Sequence, residues 1–130
     1  MRNRFILVAD TSDTFLDILK EELATTDYKW LHAKDGQKAI DYLELLKSEI
    51  ELAIIELELP GVSGLDVIWR LVRQEQLKPT KIIGTSAVED SHTKTVLKEL
   101  GVAVVVQRPI PAQGWRRRHQ ALKRIGDLGA

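Results

Sequence analysis

Residues 52–72, LAIIELELPGVSGLDVIWRLV, hold in one stretch the signal that decides the fold. Leu52 to Leu57 is an apolar run of strand length, Leu59-Pro60-Gly61 breaks it, and Leu65, Ile68, Leu71 and Val72 then recur at helical spacing. The unit reads as strand, loop, helix. It repeats on either side. Phe5 to Ala9 is a strand ending at Asp10-Thr11-Ser12-Asp13, and Phe15, Leu16, Leu19 and Leu23 form the stripe of a helix capped by Ser12 or Asp13. Tyr28 to Ala33 is a strand, Asp35-Gly36 a turn, and Ala39, Ile40, Leu43 and Leu46 one helix face.

Downstream, Lys81 to Ser86 is a fourth strand, followed by a helix with Val96, Leu97 and Leu100 inward and Gly101 as its C-terminal stop. Ala103 to Val106 is a fifth strand. Pro111, whose fixed φ suits a first turn, opens a closing helix with Trp115, Leu122 and Ile125 on one face. Five such cycles require right-handed crossovers and a mostly parallel sheet covered on both faces, which suits the unalternating run Val102-Ala103-Val104-Val105-Val106. The expectation is a doubly wound α/β sandwich. A length of 130 residues suits one domain, and with no internal repeat, low-complexity stretch or linker that domain is expected to span residues 1–130.

Composition removes several functional classes. Hydrophobic residues at 44% and charged residues at 29% exclude a disordered or fibrous chain. No apolar run reaches the ~20 residues of a membrane span, and MRNRFILVAD lacks the apolar core and cleavage site of a signal peptide, so a cytoplasmic protein is expected. Without cysteine there is no disulfide, thiolate zinc site or thiol nucleophile. Nineteen basic residues balance nineteen acidic ones, but unevenly: residues 10–66 carry fourteen acids against five lysines, and residues 67–130 twelve bases against five acids. Either the two regions meet different partners or they are ordinary solvated helix faces.

In an open parallel sheet, ligands bind beyond the carboxyl ends of the strands. That places Asp10 and Thr11 after strand one, Glu56 at the end of strand three, Ser86 at the end of strand four and Arg108 after strand five. Two carboxylates, two hydroxyls and a guanidinium are thus expected at one edge. No GxGxxG or GxxxxGK[ST] follows strand one, and no Ser, His and acid set stands in a hydrolase context. His32, His92 and His119 lack metal-ligand spacing, and Trp30, Trp69 and Trp115 are assigned to core or helix packing.

The segments ILVADTSD, IIELELPGVSGLDV, IIGTSA and VVQRPI resemble, in order and spacing, the motifs of the receiver domain of bacterial two-component response regulators, along essentially the whole chain. The resemblance implies a flavodoxin-like three-layer sandwich, five parallel strands in the order 2-1-3-4-5 with five helices. It also implies a pocket in which an aspartate after strand three takes a phosphoryl group from a histidine kinase, with Mg²⁺ held by that aspartate and an acidic pair. Against this pattern Glu56 stands for the acceptor aspartate, Thr11 for the second acid of the pair, Arg108 for the lysine, and Val105 for the aromatic switch residue.

Each departure has a consequence. Glutamate carries its carboxylate one methylene further out, and misplacement of about 1 Å can cost ~100-fold in rate. Thr11 removes a full charge from a site for Mg²⁺, leaving Asp10 and Glu56 to hold the ion weakly. Arg108 is a planar fork suited to pairing with Glu56, with Ser86 also within reach of that carboxylate. The expectation is a degenerate, pseudo-receiver pocket formed by Asp10, Thr11, Glu56, Ser86 and Arg108, with no catalytic residue and no resident cofactor. Glu56 either imitates a phosphorylated aspartate or is merely satisfied internally.

The expected function is signalling by protein–protein interaction, with a histidine kinase or downstream effector as partner. The alternative is a divergent receiver still phosphorylated on an acidic residue, Glu56 or the less well placed Glu58. The resemblance also suggests a cis Arg108-Pro109 bond and a homodimer through the face of helix four, strand five and helix five. Arg116, Arg117, Arg118, Lys123 and Arg124 on the closing helix form either a contact surface or a solvated face. With no recognition helix or winged module in view, protein is favoured there over nucleic acid.

Overall fold

A computed structural model describes residues 4–23, 27–46, 48–73, 80–88 and 90–102, and the backbone of 104–107. Among these residues five strands and four helices alternate: β1 (Phe5–Ala9), α1 (Asp13–Glu22), β2 (Lys29–Ala33), α2 (Gly36–Leu45), β3 (Ile50–Glu56), α3 (Gly64–Arg73), β4 (Lys81–Ser86), α4 (Ser91–Glu99) and β5 (Val104–Gln107). All four strand pairings are parallel, and the sheet order is β2-β1-β3-β4-β5. The expected fifth helix, Arg108-Pro109 and the arginines of the closing segment lie outside the described residues.

Strand parity builds the two cores. Leu7, Ala9, Ala33 and Ile55 project to one face, where Ala39, Ile40 and Leu43 of α2, Val67, Ile68 and Leu71 of α3, and Leu97 of α4 cover them. Ile6, Val8, Leu52, Ile54 and Ile83 project to the other, under Phe15, Leu16 and Leu19 of α1. Each fully buried aliphatic side chain stabilises the fold by roughly 1.5–3 kcal/mol. Ser12 is the N-cap of α1, its hydroxyl accepting from Phe15 N at 3.0 Å. Gly101, at φ +83°, follows α4 in the left-handed conformation that a helix-ending glycine adopts without a Cβ penalty.

Two tryptophans separate. Trp30 packs against the α1-side core, whereas Trp69 is about half exposed on α3, with the Arg73 guanidinium 5.9 Å from its ring centre. The expectation of a packing role for Trp69 is corrected: it falls on the outward side of α3, opposite Val67, Ile68 and Leu71. At the amino end of the sheet, buried Glu51 accepts from Arg4 Nε at 3.0 Å, from a second Arg4 nitrogen at 3.1 Å and from the Tyr28 hydroxyl at 3.1 Å. The fork geometry satisfies both carboxylate oxygens and offsets the cost of removing the charge from water.

Candidate functional site

The carboxyl edge of the sheet begins with the turn after β1. Asp10 is fully buried; its N–H donates to Ala33 O at 2.9 Å, and its Oδ1 accepts from Ser12 N at 2.8 Å. A short acid thus closes its own turn and sets Ser12 to cap α1. Thr11, between them, is exposed. The Asp10 carbonyl accepts from His32 Nε2 at 2.8 Å, and His32 Nδ1 lies 3.7 Å from Asp13 Oδ1, itself 3.0 Å from Lys34 Nζ. No metal-ligand spacing marked His32, so its place against the backbone of the site was invisible in the sequence.

Glu56 ends β3 half-buried, with its Oε2 shut off from solvent. Register sets Glu56 beside Thr85, and parallel partners share a sheet face. Thr85 is fully buried, and among the described residues its hydroxyl has no hydrogen-bond partner. Behind Glu56 the backbone doubles back: Gly64 N donates to Leu57 O at 2.9 Å, and a Cβ on Gly64 would stand 1.8 Å from the Glu56 carbonyl oxygen. Only glycine allows α3 to start this close to the strand end.

Ser86 corrects the sequence reading. It ends β4 as expected and is buried, but its hydroxyl reaches Glu58 in place of Glu56, 3.0 Å from Oε1 and 3.1 Å from Oε2. Ala87 N donates to the same Oε1 at 3.1 Å, and Val88 N donates to Ser86 Oγ at 3.0 Å. The reason is parity. Glu56 shares the face of Thr85, whereas Ser86, one residue on, points to the opposite face, where the loop after β3 delivers Glu58. Beside this contact lies a cleft of about 240 Å³, lined in part by Leu57, Glu58, Leu65, Ser86 and Val88. Asp90 caps α4 at its rim, and its carboxyl is held below the usual value by a hydrogen bond from the Thr93 hydroxyl and then by the Thr93 and His92 N–H groups.

The described residues bring together Asp10, Thr11, Glu56 and Ser86 at one edge, together with Glu58, which the sequence offered only as a less well placed acceptor, and with the unforeseen Thr85 and His32. Arg108 lies outside them, and Val105 is placed only by its backbone, in β5 opposite Gly84. Among the described residues no three of His, Cys, Asp or Glu are grouped to hold a metal ion. With Asp10 Oδ1 engaged by Ser12 and a hydroxyl at position 11, the donor set does not fit the three-carboxylate site in which receivers hold Mg²⁺. No helix among the described residues is long and apolar enough to cross a membrane.

Comparison with known proteins accords with the geometry. Full-length similarity runs to the alkaline phosphatase synthesis transcriptional regulatory protein PhoP of Bacillus subtilis, 26% identical over 128 residues, 98% of this chain and 52% of the relative. Response regulator RppA of Synechocystis is 30% identical over 121 residues, 93% of this chain and 50% of the relative. The chain therefore spans about half the length of these bacterial relatives. Among solved structures, the phosphorylated cyanobacterial phytochrome response regulator RcpA superposes with a TM-score of 0.82 at 16% identity, covering 98% of this chain and 96% of that one. A CheY-like receiver domain protein from Methanospirillum hungatei gives 0.79 at 17%, with coverage of 98% and 96%. The family model for the response regulator receiver domain matches residues 6–118, and the chain belongs to that family.

Proposed function

We propose that this chain is an atypical receiver module of two-component signalling, forming one domain, that acts by binding a protein partner and is not phosphorylated at the end of β3 in the usual way. The observation that carries the reading is the residue at the acceptor place: Glu56, half-buried with one carboxylate oxygen shut off from solvent, where the family has an aspartate. Its extra methylene moves the nucleophile, exposed Thr11 withdraws a carboxylate from the metal, and the Ser86 hydroxyl that would face a phosphoryl group is engaged by Glu58. Each change lowers the rate of in-line transfer by misplacing a group or removing charge.

A kinase or effector would then read the surface of the module. Incubation with acetyl phosphate and Mg²⁺ followed by intact mass tests this directly, with the expected result an unmodified chain. A robust gain of one phosphoryl unit overturns the reading, and fragment masses would show which acid had taken it. Partner capture with wild type, Glu56→Asp and Glu56→Gln is expected to recover the same protein in all three.

A further inference from the structure

Helices α3 and α4 cover the same face of the sheet, and the cleft of about 240 Å³ opens between their amino ends. Its walls include Leu57, Leu65 and Val88, and the exposed acids Glu58 and Asp90 stand at its rim. Val88 is 63% exposed, so this wall is open to a partner. Four residues after Leu65, on the same flank of α3, Trp69 continues the apolar surface out of the cleft and is itself about half exposed. Neither rim acid is neutralised by the described chain. Glu58 accepts from the Ser86 hydroxyl and Ala87 N, and Asp90 from the Thr93 hydroxyl and the Thr93 and His92 N–H groups, all uncharged donors. No lysine or arginine among the described residues pairs with either acid.

We propose that this cleft receives one basic side chain, a lysine or arginine, of the partner protein. Its methylenes lie against Leu57, Leu65 and Val88 and its charged head meets Glu58 and Asp90, the division of labour that long basic side chains use wherever apolar surface borders water. Trp69, of the type that anchors protein interfaces, packs an apolar neighbour of that residue. The volume favours a side chain over a free metabolite, because it falls below the ~300–1,000 Å³ of small-molecule pockets. The proposal rests on the reading of the chain as a protein-binding module and names the chemistry its partner must present. The cleft opens on the α3 side of α4, whereas the homodimer that the resemblance suggests would use the side toward strand five.

Titration of the full chain with the tripeptides acetyl-Leu-Arg-Leu-amide and acetyl-Leu-Lys-Leu-amide at constant ionic strength tests the site, with glutamine in the central place as the control. The basic peptides should give saturable shifts in the ¹⁵N–¹H signals of Val88, Thr93 and the Trp69 indole, and the glutamine peptide should bind more weakly. Glu58→Gln keeps the shape of the side chain, and Asp90→Asn keeps a good helix cap. Each should weaken a basic peptide about two- to fivefold, as the loss of one partly exposed ion pair does, and leave the glutamine peptide unchanged. Trp69→Ala should weaken all three peptides. Equal affinity for the basic and glutamine peptides overturns the proposal in favour of a purely apolar groove, and the absence of saturable shifts at millimolar peptide overturns it outright. Movement of the same signals on dilution of the chain alone would show a second copy in the cleft and overturns it as well. The binding involves no phosphoryl transfer, so this result and the acetyl phosphate test are independent, and either can fail while the other stands.

Discussion

The Ser86 hydroxyl donates to the carboxylate of Glu58 across two loops, with 3.0 and 3.1 Å to its two oxygens, while Glu56 lies on the opposite face of the sheet edge. The contact couples residues 28 positions apart, and a double-mutant cycle measures it. Ser86→Ala and Glu58→Ala should each lower stability by about 1 kcal/mol, with a coupling energy of similar size. Denaturant unfolding of the two single variants and the double variant checks this; strictly additive losses would mean that the carboxylate and hydroxyl are neighbours without an interaction.

Restoring the acceptor alone should not restore phosphorylation. Glu56→Asp returns the nucleophile to its shorter reach but leaves Thr11 in the place of an acid, whereas the double variant Glu56→Asp, Thr11→Asp rebuilds the negative charge that Mg²⁺ requires. Intact mass after acetyl phosphate and Mg²⁺ should show little modification of the single variant and clear modification of the double.

Gly64→Ala should damage the site from behind. The added Cβ would lie 1.8 Å from the Glu56 carbonyl oxygen and 2.9 Å from the Leu57 Cα, both backbone atoms that cannot swing aside. The start of α3 must move, at a cost of about 2–3 kcal/mol. Thermal unfolding should show the loss, and the amide of Leu57 should shift more than those of β1.

Thr85→Val should be neutral or stabilising, by up to about 1 kcal/mol. The Thr85 hydroxyl is fully buried and has no partner among the described residues, so a methyl of nearly the same shape removes a polar group that they leave uncompensated. A clear loss of stability in urea unfolding would show that the hydroxyl has a role in the folded protein.

Acid should loosen α4 at its N-terminus. Hydrogen bonds from Thr93 and His92 depress the Asp90 carboxyl below its ordinary value of 3.8, so its stabilising contribution is complete above that value and lost as pH falls through the lower, folded-state one. The difference in melting temperature between wild type and Asp90→Ala should be constant near neutrality and shrink below about pH 4. Persistence of the full difference at pH 2 would show that the cap does not depend on charge.

The sequence by itself determined the order of strands and helices, because periodicity and breakers are local. Phe5–Ala9 and Lys81–Ser86 are strands with the boundaries that their composition predicts, and Gly101 ends α4 as its lack of a Cβ allows. It also determined which residues stand at the strand ends, since a parallel α/β sheet carries all of its strand termini to the same edge. Glu56 at the acceptor place needed no structure to be noticed.

Only the tertiary structure decided how those residues pair. Side-chain direction alternates at every strand residue, so a hydroxyl one position along from Thr85 faces away from Glu56, and the loop that follows β3 decides that Glu58 meets it. The exposure of Trp69, the backbone bond from His32 to Asp10 and the burial of the Thr85 hydroxyl are equally non-local. Each depends on how far one element rotates or shifts against another, by an ångström or two, and linear spacing carries no measure of that.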